Sequence, residues 1–197
     1  IIGNMMKSKK WPESPYFGMT PSQIKAQWKE NGRKASTAGT KMHYDIECFY
    51  NDMDVEIDED CVEFDYFLRF EQDHGEKLNP YRTEWMVWDK DLRLAGSIDM
   101  IFEKDDGSLV IYDWKRCKEI KTTAFYNQTS TTECINHIPD CNFWQYSLQL
   151  NTYKGIIERD YGKVVSGMAL VCFYPEMENY KVFKVPNLEN EINELFA

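Results

Sequence analysis

The 197-residue sequence contains no apolar run near the roughly 20 residues a membrane-spanning helix requires. Its start, Ile1-Ile2-Gly3-Asn4, lacks the charged segment and long apolar stretch of a secretory signal. The first residue is not Met, so a piece of a longer chain is expected, with residues upstream of Ile1. Internal repeats and low-complexity linkers are also missing. A single domain over residues 1–197 is expected, with a basic helical part to about residue 43. A disulfide framework is not indicated. Cys48, Cys61, Cys117, Cys134, Cys141 and Cys172 are scattered through apparent helices and strands of a chain large enough to bury a core unaided. They read as reduced thiols of an intracellular protein, with cytoplasm, nucleus, mitochondrion and virus factory not distinguished. Cys134-x-x-His137-x-x-x-Cys141 lacks the fourth ligand that a zinc site wants at short spacing.

Positive charge is scarce too, with 23 Lys and Arg against 33 Asp and Glu and a net charge of -10. That balance argues against a polyanionic partner, because phosphate binding relies on Lys and Arg. The distribution reverses the argument. Before residue 44, Lys7, Lys9, Lys10, Lys25, Lys29, Arg33, Lys34 and Lys41 face only Glu13 and Glu30. Residues 44–76 then carry thirteen acidic side chains against Arg69 alone. A chain so polarised can present a basic face while its acidic stretch points elsewhere. Asp52, Asp54, Glu56, Asp58, Asp60 and Glu63 also match the spacing of a calcium loop. The glycine needed for its sharp turn is replaced by Ile57, so a solvated acidic connector is expected.

The composition is that of a globular protein: 43% hydrophobic and 15% aromatic. Thr20-Pro21 predicts a helix start, with Asn31-Gly32 as its end and a second helix over 36–50. A third helix is expected over about 61–73. The pattern then changes to period two, predicting strands over 83–88, 92–102 and 109–112, with Asp105-Asp106-Gly107 turning the hairpin. Residues 122–141 read as irregular. A long helix over about 143–161 stopped by Gly162, two strands near 167–174 and 180–185, and a terminal helix from about Leu188 complete the order. This succession predicts an α/β fold with a mixed central sheet flanked by helices.

Chemistry concentrates in Gly96-Ser97-Ile98-Asp99 on one strand and Tyr112-Asp113-Trp114-Lys115 on the next. Asp113 and Lys115 are two apart, so both project from one face of their strand. Two carboxylates and an ammonium at a strand end suit phosphodiester hydrolysis. Carboxylate oxygens hold a hard divalent ion, and a lysine beside them orients water or stabilises negative charge.

This Gly-Ser-Ile-Asp … Asp-Trp-Lys pair resembles the core motif of PD-(D/E)XK nucleases. More narrowly, it is similar to the RecB-like exonuclease branch, which includes mitochondrial genome-maintenance exonucleases and relatives in large DNA viruses. Gly39-Thr40-Lys41-Met42-His43 resembles that branch's upstream histidine motif, Glu84 stands where relatives carry a second-metal acid, and Gln149-Leu150-Asn151-Thr152-Tyr153 resembles its Gln-x-x-x-Tyr helix. The resemblance implies a restriction-endonuclease-like core. It also implies Asp99 and Asp113 as principal ligands of one or two Mg²⁺ or Mn²⁺ ions, beside the Trp114 carbonyl. His43 would be a further ligand, Glu84 either a second-metal residue or a sheet-edge charge, and Lys115 the catalytic lysine. Gln149 and Tyr153 would brace the site or touch DNA, with Gln149 favoured over Tyr153, which the apolar neighbours Leu148, Ile156 and Ile157 also suit to the core.

The implied activity is an exonuclease on single-stranded DNA or DNA ends, in repair or replication. The alternatives are a structure-specific or restriction-type endonuclease, or a DNA-binding module without turnover. Lys25, Lys29, Arg33, Lys34 and Lys41 are expected to carry DNA towards the metal site, with Arg116, Lys118 and Lys121 on the far side. No iron–sulfur cluster is expected: Cys48 could stand for its first ligand, but nothing after Cys172 supplies the remaining three. The helicase phosphate loop Gly-x-x-x-x-Gly-Lys is absent, so a helicase or replication partner would be a separate chain or a missing segment.

Overall fold

Thr20 opens the longest helix with a reciprocal cap. Its hydroxyl accepts the Gln23 N–H at 3.3 Å, and the Gln23 side chain accepts the Thr20 N–H at 2.8 Å. The computed structural model describes residues 1–55 and 61–197. Residues 56–60, the middle of the acidic run with calcium-loop spacing, lie outside the described residues. The chain divides into two units, Ile1–Lys41 and Met42–Ala197.

The first unit holds a short helix, α1 (Ile2–Met6), a 3-10 turn at Trp11–Glu13, and the first part of α2 (Pro21–Tyr50). The helix end expected at Asn31-Gly32 does not occur, because α2 runs through it. One interior glycine costs about 1 kcal/mol relative to alanine, which a 30-residue helix tolerates. Arg33 also spans the weak point, donating from Nε and Nη2 to the two Glu30 oxygens at 2.9 and 2.7 Å.

The second unit begins within α2 and continues with α3 (Val62–His74) and a five-stranded sheet. Its strands are β1 (Asn79–Asp89), β2 (Leu94–Glu103), β3 (Leu109–Arg116), β4 (Val165–Phe173) and β5 (Lys181–Lys184), in that spatial order. Gly107, at φ +76°, makes the β2–β3 turn. β3 and β4 are parallel and all other pairs antiparallel. The parallel pair needs a crossover, supplied by α4 (Asn142–Asp160). α5 (Glu189–Leu195) follows the sheet.

The sheet is covered on both faces. Trp85, Ile98, Ile111, Leu170 and Cys172 pack with Leu150, Ile156 and Ile157 of α4. On the other side, Met100, Phe102, Trp114 and Phe173 pack with Met42 and Ile46 of α2 and with Phe64, Phe67 and Phe70 of α3. The fold is therefore α/β, a mixed central sheet flanked by helices. No described helix is long and apolar enough to cross a membrane.

Strand alternation delivers β3's side chains. Tyr112 and Trp114 enter the aromatic layer, where Trp114 meets Phe70 and Phe67 at 5.5 and 5.9 Å between ring centroids. Leu109 and Ile111 face α4, and Asp113 and Lys115 share their parity. On β2 the alternation slips. Ile98 and Ile101 both join the α4 side although three apart, while Met100 and Phe102 join the other. The slip falls at Asp99.

Candidate metal centre

Asp99 stands where two strands part. β2 and β3 are paired from Glu103↔Leu109 only as far as Met100↔Tyr112, whereas β3 stays paired with β4 through Arg116↔Phe173. Beyond that point the Trp114 N–H would lack an acceptor, and Asp99 Oδ2 accepts it at 2.8 Å. Across β1, Glu84 lies between the pairs Thr83↔Met100 and Trp85↔Ile98, opposite Asp99. Its φ of +41° is left-handed, a conformation that costs an L-residue about 1–2 kcal/mol. The carboxylate is held in place by Ser97, whose hydroxyl donates to Glu84 Oε2 at 2.8 Å.

His43 arrives from α2, flanked by the buried Met42 and Ile46. Its Nδ1 lies 3.5 Å from Asp99 Oδ2 and 3.9 Å from Glu84 Oε1. One ligand atom from each of His43, Glu84 and Asp99 falls within 4.8 Å of the others, the one such group of three among the described residues. Octahedral Mg²⁺ has bonds of 2.0–2.1 Å, placing opposite ligands about 4.2 Å apart. At least two of the three pairs would be neighbouring ligands about 2.9 Å apart, so these atoms would need to draw in by on the order of 1 Å.

Asp113 does not join that trio. It is buried, and the Lys115 ammonium lies 2.6 Å from its Oδ2. This close ion pair is what holds the buried carboxylate. Lys115 itself sits 4.4 Å above the Tyr146 ring of α4, a cation–π seat.

The electrostatics follow from burial and crowding. Burial lifts the Asp99 carboxyl to about 7, with the Asp113 charge adding to it against His43, the Trp114 N–H and Lys115. Asp113 is also pushed up by burial, which outweighs Lys115. Burial works against a charged His43, but the surrounding carboxylates prevail and raise its pKa. Glu84 is held below its usual range by His43 and Ser97. Lys115, despite burial, is raised by Asp113 and stays an ammonium at neutral pH. Two crowded, buried carboxyls that retain protons, beside the readily ionised Glu84, form a hard oxygen donor set that fits a divalent cation.

Gln149 and Tyr153 lie one turn apart on α4, and the Gln149 amide donates to the Tyr153 hydroxyl at 3.0 Å. Tyr153 rests on β2 at Gly96, where an added Cβ would meet its Cε1 at 2.4 Å. Only glycine permits that approach. The expected basic residues are less uniform. Lys25, Lys29, Arg33 and Lys34 are exposed on α2, with Arg33 tied to Glu30, and Lys41 is half-buried. Arg116 is held by Glu63 at 2.6 Å and lies over the Tyr174 ring, while Lys118 pairs with Glu176 and Lys121 with Glu119. Two contributors escape sequence reasoning. Ser97 lies inside the Gly-Ser-Ile-Asp motif of β2, and Tyr146 precedes Gln149 and Tyr153 by three and seven residues, a helical stripe that marks all three.

No protein-family model matches the chain, and no curated protein matches it. Among solved structures it is similar to a protein from Eubacterium rectale described as a "Putative exonuclease", at 14% sequence identity and a TM-score of 0.42. The match covers 72% of this chain and 50% of that one, so the chain spans half the length of that structure.

Proposed function

We propose that this protein is a divalent-metal-dependent nuclease of PD-(D/E)XK type, acting as an exonuclease on single-stranded DNA or DNA ends. The observation that carries the reading is the convergence of His43, Glu84 and Asp99 within 4.8 Å, together with the adjacent Asp113–Lys115 pair. The order of motifs along the chain, from His43 to Tyr153, adds support.

His43, Glu84 and Asp99 would hold Mg²⁺ or Mn²⁺, with Asp113 and the Trp114 carbonyl completing the set. When bound, the ion supplies Lewis acidity toward the phosphate and lowers the pKa of a water. The chain's own groups do the rest. Asp99 gives up its retained proton on loading and keeps β3 in place through the Trp114 N–H. Lys115, seated on Tyr146 and kept protonated by Asp113, offers a fixed positive charge to the phosphate oxygens rather than acting as a base. Ser97 fixes the Glu84 carboxylate. Gln149 and Tyr153 brace the β2 backbone beside that serine. The exposed lysines of α2 contribute phosphate contacts.

The test is cleavage of end-labelled single-stranded DNA, duplex DNA and RNA in Mg²⁺, Mn²⁺, Ca²⁺ or excess EDTA. We expect DNA cleavage in Mg²⁺ or Mn²⁺, with Ca²⁺ binding without turnover and EDTA abolishing it. Stepwise loss from an end identifies the exonuclease, and internal cuts identify an endonuclease. Undiminished cleavage in EDTA would overturn the metal-dependent reading.

A further inference from the structure

Cys117 follows the end of β3, two residues after Lys115, and Cys172 on β4 is the register partner of Lys115. Their Sγ atoms lie 3.2 Å apart, and Cys172 Sγ is also 3.0 Å from the Cys117 carbonyl oxygen. Both are free cysteines, Cys172 buried and Cys117 half-buried. Both pack in the apolar cluster that includes Tyr146, the ring on which Lys115 sits. A disulfide is about 2.05 Å long, so closing the pair requires about 1 Å of relative movement. The contact between the two sulfurs lowers the Cys172 thiol and raises the Cys117 thiol, so Cys172 is the one of the pair that ionises first.

We infer that Cys117 and Cys172 form a dithiol site that hydrogen peroxide oxidises to a disulfide, and that closing it slows the reaction carried by Lys115. The second half rests on the proposed function. One sulfur, as thiolate, attacks a peroxide oxygen. The O–O bond breaks and hydroxide leaves, taking the proton that the thiol had released and forming water. The resulting sulfenic acid is attacked by the second thiol. The S–S bond forms, the S–O bond breaks, and the second thiol's proton departs with the hydroxyl as water. Two thiols are oxidised by two electrons, and one peroxide is reduced to two waters. A thiol reductant reverses the change by exchange. Drawing residue 117 towards β4 shifts the Tyr146 seat. Because a 1 Å misplacement in an active site can cost about 100-fold, a loss of about tenfold or more is expected.

The test uses the full chain, reduced and then treated with hydrogen peroxide. Free thiols are blocked by alkylation, and the linked peptides are mapped by mass. The expected result is a Cys117–Cys172 linkage, reversed by dithiothreitol and absent from Cys117→Ser. Cleavage of end-labelled DNA in Mn²⁺ should fall about tenfold on oxidation of the wild type, whereas Cys117→Ser keeps its rate through the same treatment. Recovery of both residues fully alkylated, or linked to other cysteines, overturns the site. A linkage formed without a change in rate overturns the coupling to Lys115. If the reduced protein cleaves nothing, the nuclease reading fails and the coupling with it, while the mass map still decides the dithiol site.

Discussion

Asp99 Oδ2 accepts the backbone N–H of Trp114 at 2.8 Å, so a side chain takes up a donor that the β2–β3 ladder leaves free where the strands part. One carboxylate thus closes the sheet and faces His43. The two roles separate by substitution. Asp99→Asn retains an acceptor for the Trp114 N–H and should fold normally yet lose Mn²⁺ binding. Asp99→Ala loses both, and an unsatisfied buried N–H costs about 1–3 kcal/mol. Denaturant midpoints and Mn²⁺ calorimetry check the pair. Equal stability of the two variants would refute the structural role.

Lys115→Ala should lower cleavage by about 100-fold or more, as loss of a transition-state donor does. DNA affinity should change little, because one lysine is a small part of a multi-phosphate footprint. The substitution also strands the buried Asp113 carboxylate, so metal-free stability should drop by about 3 kcal/mol near pH 8. The drop should shrink at lower pH, where Asp113 takes up a proton. Single-turnover cleavage and denaturation at two pH values measure both effects.

The metal-free protein should lose stability as pH rises. Asp99, lifted to about 7, binds its proton more tightly folded than unfolded, so its contribution is present at low pH and lost as pH rises through 7. His43, also raised, works in the same direction. Glu84, held low, acts only in acid, where stability is lost as pH falls through its folded value. A thermal midpoint falling between about pH 5 and 8, and recovered by Mn²⁺, is expected. Mn²⁺ affinity should rise over the same range with proton release, seen in calorimetry across buffers of different ionisation enthalpy. A pH-independent affinity would remove the proton from Asp99.

Gly96→Ala places a methyl 2.4 Å from Tyr153 Cε1. Tyr153 must then move, breaking its bond with Gln149, at an expected cost of about 1–3 kcal/mol. Tyr153→Ala should absorb the added methyl, so the double variant should be more stable than the sum of the single changes predicts. Strict additivity would mean that the contact is not the constraint.

Replacing Lys25, Lys29 and Lys34 together with Glu should weaken DNA binding and flatten its dependence on salt. Far-ultraviolet dichroism and Mn²⁺ affinity should be retained, because these side chains are exposed. Unchanged affinity across a salt titration would move the DNA path away from this helix.

The sequence by itself determined the order of elements. Period-two runs, the Asp105–Gly107 turn, the Thr20 cap and the Gly162 stop are local signals, so the α/β class followed from neighbouring residues alone. It also placed Asp113 and Lys115 on one strand face, because alternation is a property of any extended chain. The uninterrupted α2 was different: Asn31-Gly32 reads locally as a stop, but the bidentate Arg33–Glu30 pair and a long helix on both sides carry the backbone through. Tertiary structure alone decided how the acids divide. The slip of alternation at Asp99, opposite a left-handed Glu84, turns two carboxylates toward His43, and splayed strands leave Asp113 to Lys115. Such a slip depends on which helix packs against each face, a long-range contact that no local periodicity encodes.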